Sequence, residues 1–183
     1  MTKLESAESF AREKHKGMTR KDGMTQYTTH LESVVSHLKA LGVTDEDVLC
    51  SGWLHDTIED TGATFDDIYS RFGKRVAVLV STLSKDNAMP KKEREQLYVK
   101  QLKESSLDAK LIKLCDISSN LKDITNSKMS KNQKKKTINK ILNYLRVIKN
   151  DISDNKASYP KLVNIIQGIN DVLQKNGQRP VSI

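Results

Sequence analysis

Apolar residues recur in this chain at intervals of three and four, in stretches too long for strands, and little interrupts them. Only three prolines and eight glycines occur in 183 residues. Helices are therefore the elements the chain can build. Leu4, Ala7, Phe10 and Ala11 set the rhythm, and Leu31, Val34, Val35 and Leu38 repeat it in a segment that starts at His30. Gly42 suits the residue just past that segment's end. Thr44 with Asp47, and Thr64 with Asp67, have capping-box spacing, with Asp in place of Glu. The second pair opens a short helix carrying Phe65, Ile68, Tyr69 and Phe72 and closed by Gly73; Val76, Leu79, Val80 and Leu83 follow in the next.

Pro90 marks a break before a polar helix over 91–104. Leu107, Leu111, Ile112, Leu114, Cys115 and Leu121 form the buried side of a strongly apolar helix over 107–121. A basic helix over 130–150 carries a stripe of Ile138, Ile141, Leu142, Leu145 and Ile148. Pro160 opens the last helix, where Leu162, Val163, Ile165, Ile166, Ile169, Val172 and Leu173 are expected to pack inward. Strands are hard to find. The expectation is one all-α domain over residues 1–176, with a flexible tail over 177–183 and a polar loop from Met18 to Tyr27. Such a loop suits binding if a rigid scaffold holds it, and is a plain connector otherwise.

Length and charge narrow the function. The chain is long enough for one real core. No apolar run approaches the roughly 18–20 residues that span a bilayer. The charged start Met-Thr-Lys-Leu-Glu has no apolar secretory segment. Cys50 and Cys115 sit in apolar runs and read as reduced core residues, so a cytoplasmic location is expected. The formal net charge of +8 suits an anionic partner, either nucleic acid or a polyphosphorylated small molecule. The late lysines, Lys131, Lys134, Lys135 and Lys136, read as a solvated helix face.

The chemistry concentrates in Trp53–Thr61, which reads W-L-H-D-T-I-E-D-T. On a helix, Glu59 lies one turn after His55 and Asp60 one turn after Asp56, so each pair shares a face. An imidazole and three carboxylates this close repel unless a cation joins them, and neutral imidazole with carboxylate suits manganese, iron or zinc. An acidic, solvated helix end is the plainer alternative. Two further residues bear on the choice. His30 begins the second helix, and Asp116 lies on the most apolar helix, where a carboxylate is costly unless paired or metal-bound. Alone, His30 could cap a helix and Asp116 could answer a core lysine. Together with His55 and Asp56 they make a two-histidine, two-carboxylate set from three helices, as bundle metal sites use. Asn120, one turn after Asp116, is expected to look into the same cavity. His37 reads as structural, and His15 as a brace for the polar loop.

The order His30, His55-Asp56, Asp116 resembles the HD-domain metal-dependent phosphohydrolases. The fuller pattern resembles the hydrolase domain of RelA/SpoT homologues, and, at this length, the small alarmone hydrolases. It comprises Arg20-Lys21-Asp22-Gly23, Tyr27, His30, His55 through Thr61, and Ala109 through Asp116 with Asn120-Leu121. That resemblance implies an HD helical bundle with a metal site between helices. It also implies removal of the 3′-pyrophosphate from ppGpp and pppGpp with one manganese ion per site. It assigns His30, His55, Asp56 and Asp116 to the metal and Glu59 and Asp60 to the attacking water. Arg20, Lys21 and Asn120 fall to the nucleotide, with Lys136 and Lys140 standing where relatives carry an Arg and a Tyr.

This chain also departs from the pattern. The loop lacks the usual Pro, Leu31 follows the first histidine, and Ile117, Ser118 and Ser119 follow Asp116 where a basic residue is common. These changes fall on the base and sugar side. Another HD nucleotidase, acting on NADPH, a dNTP, an NMP or an adenosine alarmone, is thus the nearest rival. A nucleic-acid binder is disfavoured by the low aromatic content of 5% and the absence of a known motif.

Overall fold

A computed structural model describes residues 1–183, the Asn126 side chain excepted. The chain runs through α1 (Lys3–Lys14), α2 (Thr28–Ala40), α3 (Glu46–Leu54), α4 (Thr57–Thr61), α5 (Phe65–Phe72) and α6 (Lys74–Leu83). It continues with α7 (Lys91–Glu104), α8 (Leu107–Asn126), α9 (Lys131–Asp154), a 3-10 turn (Lys156–Ser158) and α10 (Leu162–Lys175). Among the described residues the one departure from helix and loop is an isolated bridge, Thr19 to Gln26, inside the Met18–Tyr27 loop. The all-α expectation holds. No helix is long and apolar enough to cross a membrane.

α8 is the axis of the molecule. It packs against α2, α9 and α10, and more lightly against α3 and α6. Leu111, Ile112, Leu114, Cys115, Ile117 and Leu121 are all buried, and so are Lys113, Asp116 and Ser119 among them, so α8 is enclosed on most sides. Each such leucine or isoleucine contributes about 1.5–3 kcal/mol by leaving water. Cys50 and Cys115 are buried free thiols, as expected.

Several boundaries move. The cap of α3 is not Thr44: Asp45 accepts hydrogen bonds from the Asp47 and Val48 amides, because a carboxylate one residue on reaches those donors directly. Thr64 and Asp67 do form the expected capping box. Asp22 turns the polar loop by accepting from the Met24 and Thr25 amides and the Thr25 hydroxyl. Val163 is 66% exposed rather than inward, since Leu162, Ile165, Ile169, Val172 and Leu173 already complete the buried face of α10. After α10 the chain carries no regular element over 177–183, and Asn170 exchanges two hydrogen bonds with the Val181 backbone.

Candidate active site

Two helices and one helix junction bring the expected metal residues together. His30 sits in the first turn of α2, His55 and Asp56 between α3 and α4, and Asp116 in the middle of α8. The Nε2 atoms of the two histidines lie 3.3 Å apart. Asp56 Oδ2 is 3.1 Å from His55 Nε2 and 3.4 Å from His30 Nε2. Asp116 Oδ1 is 3.2 Å from His30 Nε2 and 3.6 Å from His55 Nε2. His30, His55 and Asp56 form a compact trio of donor atoms, with Asp116 adding a fourth through both rings.

The far nitrogen of each ring is already engaged. His55 Nδ1 lies 2.8 Å from the Gly52 carbonyl, to which it donates, and His30 Nδ1 lies 2.9 Å from Ser119 Oγ. Both rings therefore turn Nε2 inward, the usual anchoring of metal-binding histidines. Donors about 2.0–2.2 Å from one ion sit about 3.0–3.5 Å from one another. The observed spacings fit that requirement.

Electrostatics points the same way. Burial opposes charge on His55, but Asp56 and Asp116 outweigh it and push its pKa up to about 10. Burial likewise opposes charge on Asp56 and Asp116, yet the cationic neighbours, His55 for the first and Lys113 for the second, hold both well below the usual carboxylate range. The cluster demands positive charge, which a divalent ion can supply.

Asp116 satisfies both readings the sequence left open. Its Oδ2 takes the Lys113 ammonium at 2.8 Å while Oδ1 faces the imidazoles and accepts from Asn120. Asn120 also accepts from Arg20, whose Nε donates to Asp123 on the next turn of α8. Arg20 is thus pinned to α8 and stacks over the Tyr27 ring, with 5.0 Å to its centroid.

Glu59 and Asp60 part company. The expected continuous helix is broken: α3 ends at Leu54 and the turn opens at Asp56, at φ −97° and ψ −4°, so ring and carboxylate both reach the cluster. Asp60 stays joined to it, because the Tyr27 hydroxyl stands 2.7 Å from both Asp56 Oδ2 and Asp60 Oδ2. Burial and those two carboxylates hold the proton on Tyr27. Glu59 turns toward the segment after α6, where it accepts from the Lys85 amide at 3.0 Å.

Beside the cluster lies a cleft of about 190 Å³, lined by Arg20, Lys21, Lys85, Lys113, Asn120 and Lys140 with Tyr144 and Ile141. Burial and the neighbouring Arg20 and Lys140 lower the Lys21 pKa. Lys136 does not line this cleft. It is exposed one turn earlier on α9, and the cleft ends at Thr137 and Lys140. His15 is buried and stacks on Tyr27 at 4.9 Å, bracing the loop as expected; His37 stands outside the cluster. Sequence reasoning missed Ser119, Lys85, Tyr98 and Tyr144. Lys113 was legible as a basic residue one turn before Asp116.

The HD domain family model matches residues 7–146. The chain belongs to the HD-domain family. This HD domain is 42% identical over 125 residues to a guanosine-3′,5′-bis(diphosphate) 3′-pyrophosphohydrolase, MESH1, of Xenopus tropicalis. The match covers 66% of this chain and 68% of the relative, and the Homo sapiens protein of that name matches equally. The chain is 32% identical to the bifunctional (p)ppGpp synthase/hydrolase SpoT of Escherichia coli (strain K12), over only 18% of that longer protein. Among solved structures, one described as a metazoan ortholog of SpoT that hydrolyzes ppGpp aligns over 97% of both chains, with a TM-score of 0.82 and 27% identity.

Proposed function

We propose that this HD domain, residues 1–176, removes the 3′-pyrophosphate of ppGpp and pppGpp in the cytoplasm with manganese, leaving GDP or GTP. The observation that carries the reading is the convergence of two Nε2 atoms and two carboxylate oxygens at 3.1–3.6 Å beside a cation-lined cleft. The names of the relatives support the substrate. His30, His55, Asp56 and Asp116 hold the metal, which when bound supplies Lewis acidity to water and to a phosphoryl oxygen.

The chain's own residues do the rest. Asp60, tied to Asp56 through Tyr27, takes a proton from the attacking water, and Glu59 shares that task once it is free to reach it. Arg20 and Lys21 hold the nucleotide, and Asn120 links Arg20 to Asp116. Lys140, rather than Lys136, supplies the α9 contact. The cleft cations offset the phosphate charge as the P–O bond breaks.

The test is pyrophosphate release from ppGpp with manganese and after chelation. Turnover that chelation abolishes and manganese restores is expected. Absence of pyrophosphate release from ppGpp, with release of phosphate from NADPH, dNTP, NMP or an adenosine alarmone, overturns the substrate assignment. Glu59→Gln is expected to keep the metal and lose about 10²–10⁴-fold in kcat.

A further inference from the structure

Three lysines from separate elements converge around two tyrosine rings beside the metal cluster. Lys85 follows α6, Lys113 lies on α8 and Lys140 on α9. Their ammonium groups stand 5.8, 5.0 and 5.8 Å from the Tyr144 ring centroid, and those of Lys85 and Lys113 stand 4.3 and 5.3 Å from that of Tyr98. Each has one carboxylate partner: Glu59 for Lys85, Asp116 for Lys113, Glu95 for Lys140. Three like charges packed this closely favour a polyanion that can meet more than one of them.

Lys85 differs from the other two in its carboxylate contact, which is the longest, 3.4 Å against 2.8 Å for each of the others. It lines two cavities, the cleft beside Asp116 and a second of about 370 Å³ with Ser84, Asn87, Arg94 and Tyr98. The buried Tyr98 hydroxyl has no hydrogen-bond partner among the described residues. Burial and the neighbouring Lys113 lower the Lys85 pKa, the mark of an ammonium with too little negative charge around it. Glu59, meanwhile, is held twice by residue 85, by the backbone amide at 3.0 Å and by the ammonium. Only the ammonium can leave without moving the chain.

We propose that Lys85 is exchanged between Glu59 and a pyrophosphoryl group. In the free protein its ammonium occupies Glu59. When a pyrophosphoryl group enters the cleft, the ammonium turns to it, and Glu59 remains on the Lys85 amide with one oxygen open to water. The pyrophosphoryl group offers several charges where Glu59 offers one, and Lys113, Lys140, Arg20 and Lys21 hold it in place. A candidate base is thereby masked until the anion arrives. The inference deepens the pyrophosphohydrolase reading, but its test requires only that the cleft bind pyrophosphate.

The test is a double-mutant cycle in pyrophosphate affinity. The full-length protein with its metal is titrated with inorganic pyrophosphate by calorimetry, as wild type, Glu59→Gln, Lys85→Met and the double variant. Lys85→Arg serves as the conservative control, and circular dichroism confirms the fold of each. Lys85→Met is expected to weaken binding by about tenfold, a typical loss for a partly buried charge contact, with Lys85→Arg close to wild type. Glu59→Gln is expected to tighten binding by about threefold or more, because Lys85 no longer has to leave a carboxylate. In the Lys85→Met background the same change is expected to shift affinity by less than about twofold. Equal tightening in both backgrounds marks a general charge effect and overturns the exchange. So does no tightening, native affinity in Lys85→Met, or no binding by wild type. Turnover of ppGpp by wild type is measured separately. Its absence beside an intact cycle removes the substrate reading alone, and turnover without the cycle removes the exchange alone.

Discussion

Asp116 divides its two oxygens between structure and chemistry, with Lys113 on one and the imidazole pair on the other. Removing it should damage both. Asp116→Ala is expected to abolish metal binding and to cost about 3–5 kcal/mol in urea unfolding, since Lys113 is left buried and unpaired. Adding Lys113→Met should recover most of the stability and none of the metal, read by unfolding and by metal content. A double variant that regains metal would remove Asp116 from the ligand set. A second residue-scale prediction concerns the loop. Hydrogen bonds from the Thr25 hydroxyl and the Met24 and Thr25 amides lower the Asp22 pKa from 3.8 to about 2. A folded pKa below the unfolded one adds stability above the unfolded value that is lost as pH falls through the folded one. Loop order is therefore expected to be complete above about pH 4 and lost toward pH 2, seen as faster amide exchange at Met24 and Thr25.

Among the elements, the crossing of α2 and α3 decides whether the two histidines meet. Gly52 sits at that crossing. A Cβ there would stand 2.7 Å from Leu38 Cδ1 and 3.2 Å from Val35 Cγ2, and Leu38 is fully buried, so the close packing must give. The Gly52 carbonyl also anchors His55. Gly52→Ala regains about 1 kcal/mol of helix propensity. It loses about 1–3 kcal/mol to overpacking. A small drop in Tm and a larger drop in metal affinity are expected, because a shift of α3 separates His55 from His30. Metal affinity unchanged beside a lowered Tm would show that the crossing does not set the site. The junction of α3 and α4 matters as much. The turn at Asp56 interrupts the helix there, and Glu59 beyond it meets Lys85.

At the scale of the whole molecule, the net charge of +8 becomes useful because part of it is gathered at one cleft. Arg20, Lys21, Lys85, Lys113 and Lys140 outnumber Asp116 and Asp123 there. A field of this kind raises the rate of anion capture and is screened by salt. The kcat/KM for ppGpp is expected to fall severalfold between about 0.05 M and 0.5 M ionic strength, with kcat changing little. A kcat/KM insensitive to salt would show that the surface charge serves solubility rather than capture.

Much of this is legible in the sequence. The all-helical class follows from spacing alone, and His30, His55, Asp56 and Asp116 could be gathered because each is an unusual residue in an apolar setting. Asn120 was legible from one helical turn. What tertiary structure decided depends on contacts between segments far apart in the chain. It brought Ser119 to His30 and Lys85 to Glu59, and put Lys140 rather than Lys136 at the cleft. Local spacing tells which side chains share a face, because the backbone repeats. Only the packing of helices on α8 tells which faces meet.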